Sequence, residues 1–478
     1  MKPIFFKMTK LKKNDYYDRE KKLRRVEKGN NKIDKHRKII YNVASLQKDD
    51  DVFDEYRYFE PATQSTCITF KGCKIALTIC EDLWNVNNDP LYVAEPMDWL
   101  SKEHPDVMIN IAASPFAYNH DEERVHILGD NCRKYNLPLF YVNQIGAQTE
   151  LIFDGESLVF NEKGEVLDQL AAFTEDLKVY EFAQNKVLGL VPRTAAPESD
   201  VAQIHQALVL GIRDYFQKSG FKKATLGLSG GIDSAVVCAL AVEALGPENI
   251  VAVLLPSEFS SDHSIADALA LVQNVGCEQL TVPIKHATEA FEAMLKPSFK
   301  DLPFNLTEEN IQSRSRAVVL MALSNKFGYI LLNTSNKSEC AVGYGTLYGD
   351  MAGAISVLGD VYKTQVYQLA NYINRNREII PQNSIVKPPS AELRPGQKDS
   401  DSLPDYEVLD KLLFQFIEQK QSPSALIAQG FNESLVNKIL KLVNQAEFKR
   451  YQTPPILRVS PKAFGPGRRM PIVGKYLT

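Results

Sequence analysis

The stretch Leu226 to Leu240, LGLSGGIDSAVVCAL, restricts the possible folds more than any other part of the chain. A short apolar run of strand length enters a turn with two adjacent glycines and leaves as a helix of small residues. Gly230 and Gly231 allow a sharp turn and let a ligand approach the backbone with no Cβ in the way. The helix predicted over 234–245 points its unsatisfied N–H groups back at the turn, which makes that end a site for anions. Ser229 and Ser234 add hydroxyl donors. Asp233 adds a carboxylate, which repels bare phosphate but suits phosphate carrying Mg2+. No Lys follows the glycines, so this is not the GxxxxGK[ST] phosphate loop, and the spacing is not GxGxxG.

The length of 478 residues gives room for two large or three smaller domains. A hydrophobic fraction of 44% and a charged fraction of 24% suit a globular chain. The net charge of −4 offers nothing global to nucleic acid or to an anionic membrane. No apolar run reaches transmembrane length and the first residues carry no signal-peptide core, so a cytoplasmic protein is expected. Seven cysteines (67, 73, 80, 132, 238, 277 and 340) lack metal-type spacing and suit a reducing compartment.

Residues 1–40 are dense in Lys and Arg and read as a solvated or disordered segment, followed by a short strand at 39–43 and a loop at 48–51. From Val52 the chain becomes orderly. Strands are predicted at 67–70 and 74–79 around a Lys71-Gly72 turn, then at 106–113 and 137–142, with a helix at 122–135 between them. Residues 151–155 and 157–160 read as a hairpin, and 161–164 as the next turn. This alternation implies a layered α/β domain. Cys80 ends a strand ahead of Glu81 and Asp82, which suits either an exposed nucleophile or a small core residue. The stretch 187–198 has two prolines and no period, and reads as the connection between domains. Beyond a helix at 202–218, strands at 223–228, 250–255, 280–283 and 329–332 alternate with helices at 264–275 and 307–327. That pattern predicts a doubly wound parallel sheet with ligands at the carboxyl ends of its strands. Thr307 is the expected N-cap of the last helix. Asn310, Arg314 and Arg316 suit either one end of a cleft or a solvated turn.

SGGIDS after a strand resembles the pyrophosphate loop of the ATP-pyrophosphatase enzymes, which split ATP between its α and β phosphates. EENIQSRSR, NTSNKSECAVGYGTLYGDMAG, GDVYKTQVYQLA and EFKRYQTPPILRVSPKAFGPGRRMPI resemble the ligase domain of the glutamine-dependent NAD+ synthetase family, over about residues 200–475. VFDEYRYFEPA, LTICEDLWN, NIAASPFAY and YVNQIGAQTELIFDG resemble that family's nitrilase-type amidohydrolase domain, over about residues 52–185. The resemblance implies an incomplete nitrilase-like α/β/β/α sandwich in residues 1–185, a linker at 186–200, and a doubly wound ATP-pyrophosphatase domain at 201–478. It implies that the carboxylate of deamido-NAD+ takes the adenylyl group of ATP, pyrophosphate leaves, and ammonia displaces AMP to give NAD+. It further implies Cys80 as the nucleophile on glutamine, with Ser114 and His120 in contact with glutamine. It implies ATP contacts from Gly227, Leu228, Ser229, Gly230, Gly231, Ile232, Asp233, Ser234, Thr334 and Lys363, and deamido-NAD+ contacts from Asn310, Glu339, Asp350 and Lys449, the last on a tail whose Pro and Gly content suits a flexible segment that closes on substrate. Mg2+ would sit on Asp233 and Glu339, and a homo-oligomer is the family's usual state.

The chain also departs from the family. Nothing in residues 1–40 resembles the opening E-L-x-x-x-G-Y-P-like segment that carries the family's Glu base. The K-x-x-L-P-x-Y segment, with the Lys that stabilises the oxyanion, is replaced by ASLQKDDD. Ala44 falls at the Lys position, Asp50 at the Tyr, and Lys48 is out of register. His120 stands where the family often has Lys, and Thr334-Ser335 where it often has Thr-Gly. The expectation is an impaired glutaminase half and a ligase half that depends on free ammonia. The alternatives are another ATP-pyrophosphatase amidoligase, or a degenerate nucleotide-binding homologue. An asparagine synthetase would carry its nucleophilic Cys at residue 2, which here is Lys2.

Overall fold

The computed structural model describes residues 4–9, 64–85, 95–193, 198–300 and 302–474. The strand expected at 39–43, the loops at 48–51 and 52–61, and Ala44, Lys48 and Asp50 lie outside the described residues. The chain divides into two compact units, residues 1–146 with 152–198, and residues 147–151 with 199–478.

The first unit contains strands β1 (Ile4–Thr9), β2 (Ile68–Phe70), β3 (Cys73–Ile79), β4 (Val107–Ala112), β5 (Leu139–Asn143), β6 (Ile145–Gln148), β7 (Leu151–Asp154), β8 (Leu158–Phe160), β9 (Val166–Gln169), β10 (Leu177–Ala183) and β11 (Lys186–Val187). Its helices are α1 (Pro96–Leu100) and α2 (Asp121–Tyr135). One sheet runs β2-β3-β4-β5-β8-β9, with β3, β4 and β5 parallel. A second runs β1-β10-β11, antiparallel throughout. The alternation of the strands explains the layers, because successive residues face opposite sides. Ala76, Met108, Leu139, Tyr141 and Phe160 face one way and pack with Leu100 of α1 and Leu128 and Cys132 of α2. Ile75, Val107, Phe140 and Val159 face the other way and pack with Tyr180 and Phe182 of β10 and Val187 of β11.

Three expectations are corrected here. Residues 151–155 and 157–160 do not form a hairpin. β7 pairs with β6 in a separate two-stranded sheet, whereas β8 pairs with β5 and β9. Both strands are short apolar runs, and β7 takes the strand before it, across residues 149–150, in place of the strand after it. Within 1–40, Ile4–Thr9 is a strand whose register runs from Ile4 opposite Phe182 to Thr9 opposite Leu177. IFFKMT has strong strand propensity, which the Lys and Arg density of the surrounding residues obscures. The stretch assigned to a linker begins as β11, paired with β10 through Phe182–Val187 and Ala183–Lys186.

The second unit carries β12 (Ala224–Gly227), β13 (Ile250–Leu254), β14 (Glu278–Thr281), β15 (Ile330–Asn333) and β16 (Ile355–Ser356). Its helices are α3 (Asp200–Ser219), α4 (Ile232–Leu245), α5 (Asp262–Val275), α6 (Lys285–Phe299), α7 (Leu306–Phe327), α8 (Lys337–Val342), α9 (Lys363–Ile373), α10 (Gln382–Val386), α11 (Tyr406–Ile417), α12 (Pro423–Ala428), α13 (Glu433–Gln445) and α14 (Glu447–Arg450). The sheet is parallel, in the order β14-β13-β12-β15-β16. The chain therefore winds outward from β12 to β14, then returns to place β15 on the other side of β12. Ligands bind where the winding reverses, at the carboxyl ends of the strands flanking that point. SGGIDS follows β12 and Thr334-Ser335 follows β15, so both stand there. The N-cap of α7 is Asn305 and not Thr307. Asn305 Oδ1 accepts the Thr307 N–H at 2.8 Å, and Glu308 Oε2 accepts the Asn305 N–H at 2.8 Å.

Candidate active site

A cavity of about 320 Å³ opens at the reversal point in the second unit. Among its lining residues are Gly227, Leu228, Ser229, Gly231, Ile232, Asp233, Ser234, Thr334, Glu339, Asp350 and Lys363. The turn is braced from within. Ser229 N–H donates to Ser234 Oγ at 3.2 Å, Gly231 N–H donates to Ser229 Oγ at 3.2 Å, and Ser234 Oγ donates to the Gly231 carbonyl at 3.1 Å. Gly230 does not line the cavity. It has φ +77°, and a Cβ there would stand 2.1 Å from the Ser264 carbonyl oxygen, so the position admits only glycine. No side chain caps α4, whose first turn faces the cavity through Ile232, Asp233 and Ser234.

Charge is concentrated at one wall. Lys363 Nζ forms an ion pair with Asp233 Oδ2, and Asn336 Nδ2 donates to Asp233 Oδ1 at 2.9 Å. Burial works against the Lys363 charge, but Asp233 and Glu339 beside it outweigh burial and hold the ammonium above its usual pKa. The Glu339 carboxyl is pushed well above the usual carboxylate range, first by burial and then by the negative charge of Asp233.

The other three residues predicted to touch deamido-NAD+ converge on the loop from Gly343 to Asp350. Asp350 lines the cavity, accepts the Thr346 N–H at 2.7 Å and accepts the Ser313 hydroxyl at 3.1 Å. Asn310 Oδ1 accepts the Thr346 hydroxyl at 2.7 Å. Lys449 Nζ donates to the carbonyls of Gly343 and Gly345 at 2.8 and 2.7 Å. Neither Asn310 nor Lys449 lines the cavity. Lys449 was expected on a flexible tail that closes on substrate, but it sits in α14 and is already docked. Glu447 of the same helix pairs with Arg450, which also donates to the Ala341 carbonyl at 2.6 Å.

Of the two arginines read as either cleft or solvated turn, Arg316 on α7 lines the cavity: it donates to the Leu255 carbonyl at 3.1 Å, and burial lowers its guanidinium to about 10. Its companion Arg314 is exposed and donates to the Leu347 carbonyl at 3.2 Å. The segment 387–393, which escaped the sequence reading, also lines the cavity. Lys387 Nζ reaches Ser264 Oγ and Asp267 Oδ2, both at 3.1 Å, and Glu392 accepts the Ser261 hydroxyl at 2.8 Å. The paired prolines Pro388 and Pro389 were the available signal.

In the first unit, Cys80 stands between β3 and a short 3-10 turn, Cys80–Leu83, with φ +44°. That is an uncommon conformation for a side-chain-bearing residue, of the kind found where a reactive group is presented at a sharp turn. Asn110 holds the turn by donating to the Cys80 carbonyl at 3.1 Å and to Thr78 Oγ1 at 3.0 Å. Burial raises the Tyr141 phenol; Arg124 opposes this and Cys80 adds to it, so the phenol stands near both groups. Ser114 is buried and its N–H donates to Asn143 Oδ1 at 3.0 Å. Asn143 Nδ2 donates to Asp154 at 2.9 Å, and Arg124 pairs with the same Asp154 at 2.8 Å. His120 precedes α2, 3.7 Å from Glu123, and burial lowers its imidazole pKa. Asp121, Asp154 and Glu156 cluster around Arg124; burial and the two neighbouring carboxylates push Glu156 up to about 8.

A parallel doubly wound sheet with Ser-Gly-Gly-Ile-Asp-Ser at its reversal point, facing a Lys–Asp–Glu wall, defines a nucleotide-dependent α/β protein of the ATP-pyrophosphatase class. The NAD synthase family model matches residues 204–453. A glutamine-dependent NAD(+) synthetase of Synechocystis sp. is 48% identical over 431 residues, covering 89% of this chain and 77% of that protein. The solved glutamine-dependent NAD+ synthetase of Acinetobacter baumannii, a complex with adenosine diphosphate, is 39% identical with a TM-score of 0.66, over 89% of this chain and 77% of that one. The glutamine-dependent NAD(+) synthetase of Cytophaga hutchinsonii, 21% identical with a TM-score of 0.69 over 86% and 73% of the two chains, shares the fold. The chain belongs to the glutamine-dependent NAD(+) synthetase family. The other amidoligases considered on sequence are not favoured.

Proposed function

We infer that this chain makes NAD+ from deamido-NAD+ and ATP, releasing AMP and pyrophosphate. The observation that carries the reading is the cavity at the β12/β15 reversal, which gathers residues of the 229–234 turn, among them Asp233, with Glu339 and Lys363. A carboxylate is a poor acyl donor. Its attack on the α-phosphate makes a mixed anhydride and frees pyrophosphate, and ammonia then replaces AMP at the carbonyl carbon. The turn and the first turn of α4 hold the departing pyrophosphate with backbone N–H groups and two hydroxyls. Lys363 and Thr334 hold the polyphosphate. Glu339 and Asp350 face deamido-NAD+, while Asn310 and Lys449 support the 343–350 loop behind it.

Asp233 and Glu339 fit a hard divalent cation. Two carboxylates share one wall, and the Glu339 carboxyl is raised first by burial and then by the Asp233 charge, both of which a bound cation would offset. Mg2+, when bound, supplies charge neutralisation on the phosphates. In the first unit Cys80 is the proposed nucleophile toward glutamine, with Ser114 and His120 as proposed glutamine contacts.

The partners on this reading are small molecules. Among the described residues no helix is long and apolar enough to cross a membrane. A cytoplasmic location is proposed on a separate ground, the seven free cysteines, which suit a reducing compartment. A homo-oligomer is supported by α6 and α7, which leave Met294, Leu306 and Val318 about two-thirds exposed. A single-step test of the reading is pyrophosphate release from ATP, which should require deamido-NAD+. Release that ignores deamido-NAD+ would refute it.

A further inference from the structure

Asn336 is fully buried and stands one residue before α8. Its side chain uses its two ends on different partners. Oδ1 accepts the Glu339 N–H at 3.0 Å, which caps the helix. Nδ2 donates to Asp233 Oδ1 at 2.9 Å, across 103 residues of sequence. Its backbone N–H donates to Glu339 Oε2 at 3.2 Å. One residue thus touches both carboxylates of the cavity wall.

The partners fix the direction of the amide. Turned over, Oδ1 would face the Asp233 carboxylate and Nδ2 would face the helix N–H, two repulsive contacts in place of two bonds. Asp233 Oδ2 meanwhile takes Lys363 Nζ. With one donor on each oxygen the plane of the Asp233 carboxylate is set, and each oxygen keeps a lone pair for a further partner. Capping α8 does not by itself require this residue, because Ser and Asp cap as well as Asn. Asn alone among the strong caps carries the acceptor for the helix and the donor for a carboxylate on separate atoms.

We propose that Asn336 is a positioning residue for the amidation, setting the orientation in which Asp233 and Glu339 meet the divalent cation of the nucleotide. The proposal rests on the roles given above to Asp233 and Glu339. It acts through those carboxylates and needs no contact between Asn336 and substrate.

The test uses the full chain with Asn336→Ser and Asn336→Thr. Both keep a capping oxygen, and both are too short to hold Asp233. α,β-Methylene-ATP is titrated calorimetrically into each, with and without Mg2+. The expected result is unchanged affinity without metal, a melting temperature lowered by no more than a few degrees for the lost buried hydrogen bond, and a gain in affinity from Mg2+ that is smaller by roughly tenfold, the worth of one hydrogen bond to a charged group. In turnover the KM for Mg·ATP should rise by a similar factor. A wild-type Mg2+ gain in folded variants overturns the proposal, and so does loss of the fold in both, since the residue would then be a structural cap. Asp233→Asn separates the two levels. If it also leaves the Mg2+ gain intact, the assignment of the wall itself has failed; if it abolishes the gain while Asn336→Ser does not, only the role of Asn336 has.

Discussion

Gly230 and Gly231 are neighbours in sequence, yet the structure assigns them opposite tolerance to a methyl group. At Gly230 the backbone is left-handed, φ +77°, and an added Cβ would lie 2.1 Å from the Ser264 carbonyl oxygen. An ordinary C···O contact is about 3.3 Å, so the turn or the start of α5 must move by about 1 Å. The left-handed conformation adds about 1–2 kcal/mol for alanine. Misplacement of a reacting group by 1 Å costs on the order of 100-fold in rate. At Gly231 φ is −77° and ψ 159°, a region open to any residue, and a Cβ would approach only the Ser229 hydroxyl at 3.3 Å. Gly230→Ala should therefore lower kcat/KM for ATP by about 100-fold, and Gly231→Ala by no more than about tenfold, measured as pyrophosphate release with deamido-NAD+ and ammonium. Circular dichroism melts check that both variants are folded. A Gly230→Ala enzyme within twofold of wild type, or a Gly231→Ala enzyme more damaged than Gly230→Ala, would refute the reasoning.

Two further predictions concern the first unit, which contains both tryptophans, Trp84 and Trp99, so that fluorescence reports its unfolding selectively. Burial pushes the Asp82 carboxyl up to about 7 from an ordinary 3.8. The folded state then holds a proton the unfolded chain has lost between those values, so stability falls as pH rises through that window and is flat above it. Asp82→Asn, which can still accept the Ile79 N–H, should remove this slope and stabilise the unit by a few kcal/mol at pH 8 while changing little near pH 4. Equal urea midpoints at pH 8 would contradict it. Arg124 is 2% exposed and pairs with a buried Asp154, so Arg124→Met strands a carboxylate and should cost about 3–5 kcal/mol in the same assay. A cost below about 1 kcal/mol would mean that Asp154 finds another partner.

The legible parts were those in which adjacent residues determine the structure. The 226–240 stretch read as strand, turn and helix because the apolar run, the glycines and the small residues act locally. The doubly wound sheet followed from the alternation of elements. The helix Lys285–Phe299 was missed although Ala287, Phe291, Met294 and Leu295 recur at helical spacing; Pro297, inside its last turn, is a residue type that ordinarily ends a helix. The 151–160 hairpin was misread because β7 pairs backward with β6 across residues 149–150, while β8 joins the larger sheet between β5 and β9, and apolar runs of this length do not say which neighbour each will take. The cap of α7 was misplaced because Asn305, Thr307 and their neighbours all suit a helix start, and only the geometry selects among them. Within the site, Asp233, Glu339 and Lys363 came from motifs. Asn336 was not chosen because its partner Asp233 lies 103 residues away in sequence. Lys449 was read as mobile from the Pro and Gly of the tail, whereas its two carbonyl partners hold it in place.

The most direct test is NAD+ formation from deamido-NAD+, ATP and Mg2+, with ammonium chloride or glutamine as nitrogen source, in the wild type, Cys80→Ala and Lys363→Met. The account predicts NAD+ with ammonium in the wild type and equally in Cys80→Ala, and a loss of at least about 100-fold in Lys363→Met, which removes the buried cation from the cavity wall and leaves the partly buried Asp233 without its ion pair. Turnover with glutamine that Cys80→Ala abolishes would show that the first unit supplies the ammonia despite its departures from the family's Glu and Lys segments. Folded wild-type protein that forms no NAD+ from ammonium, or a Lys363→Met enzyme as fast as wild type, would contradict the central claim that the β12/β15 cavity carries out the amidation.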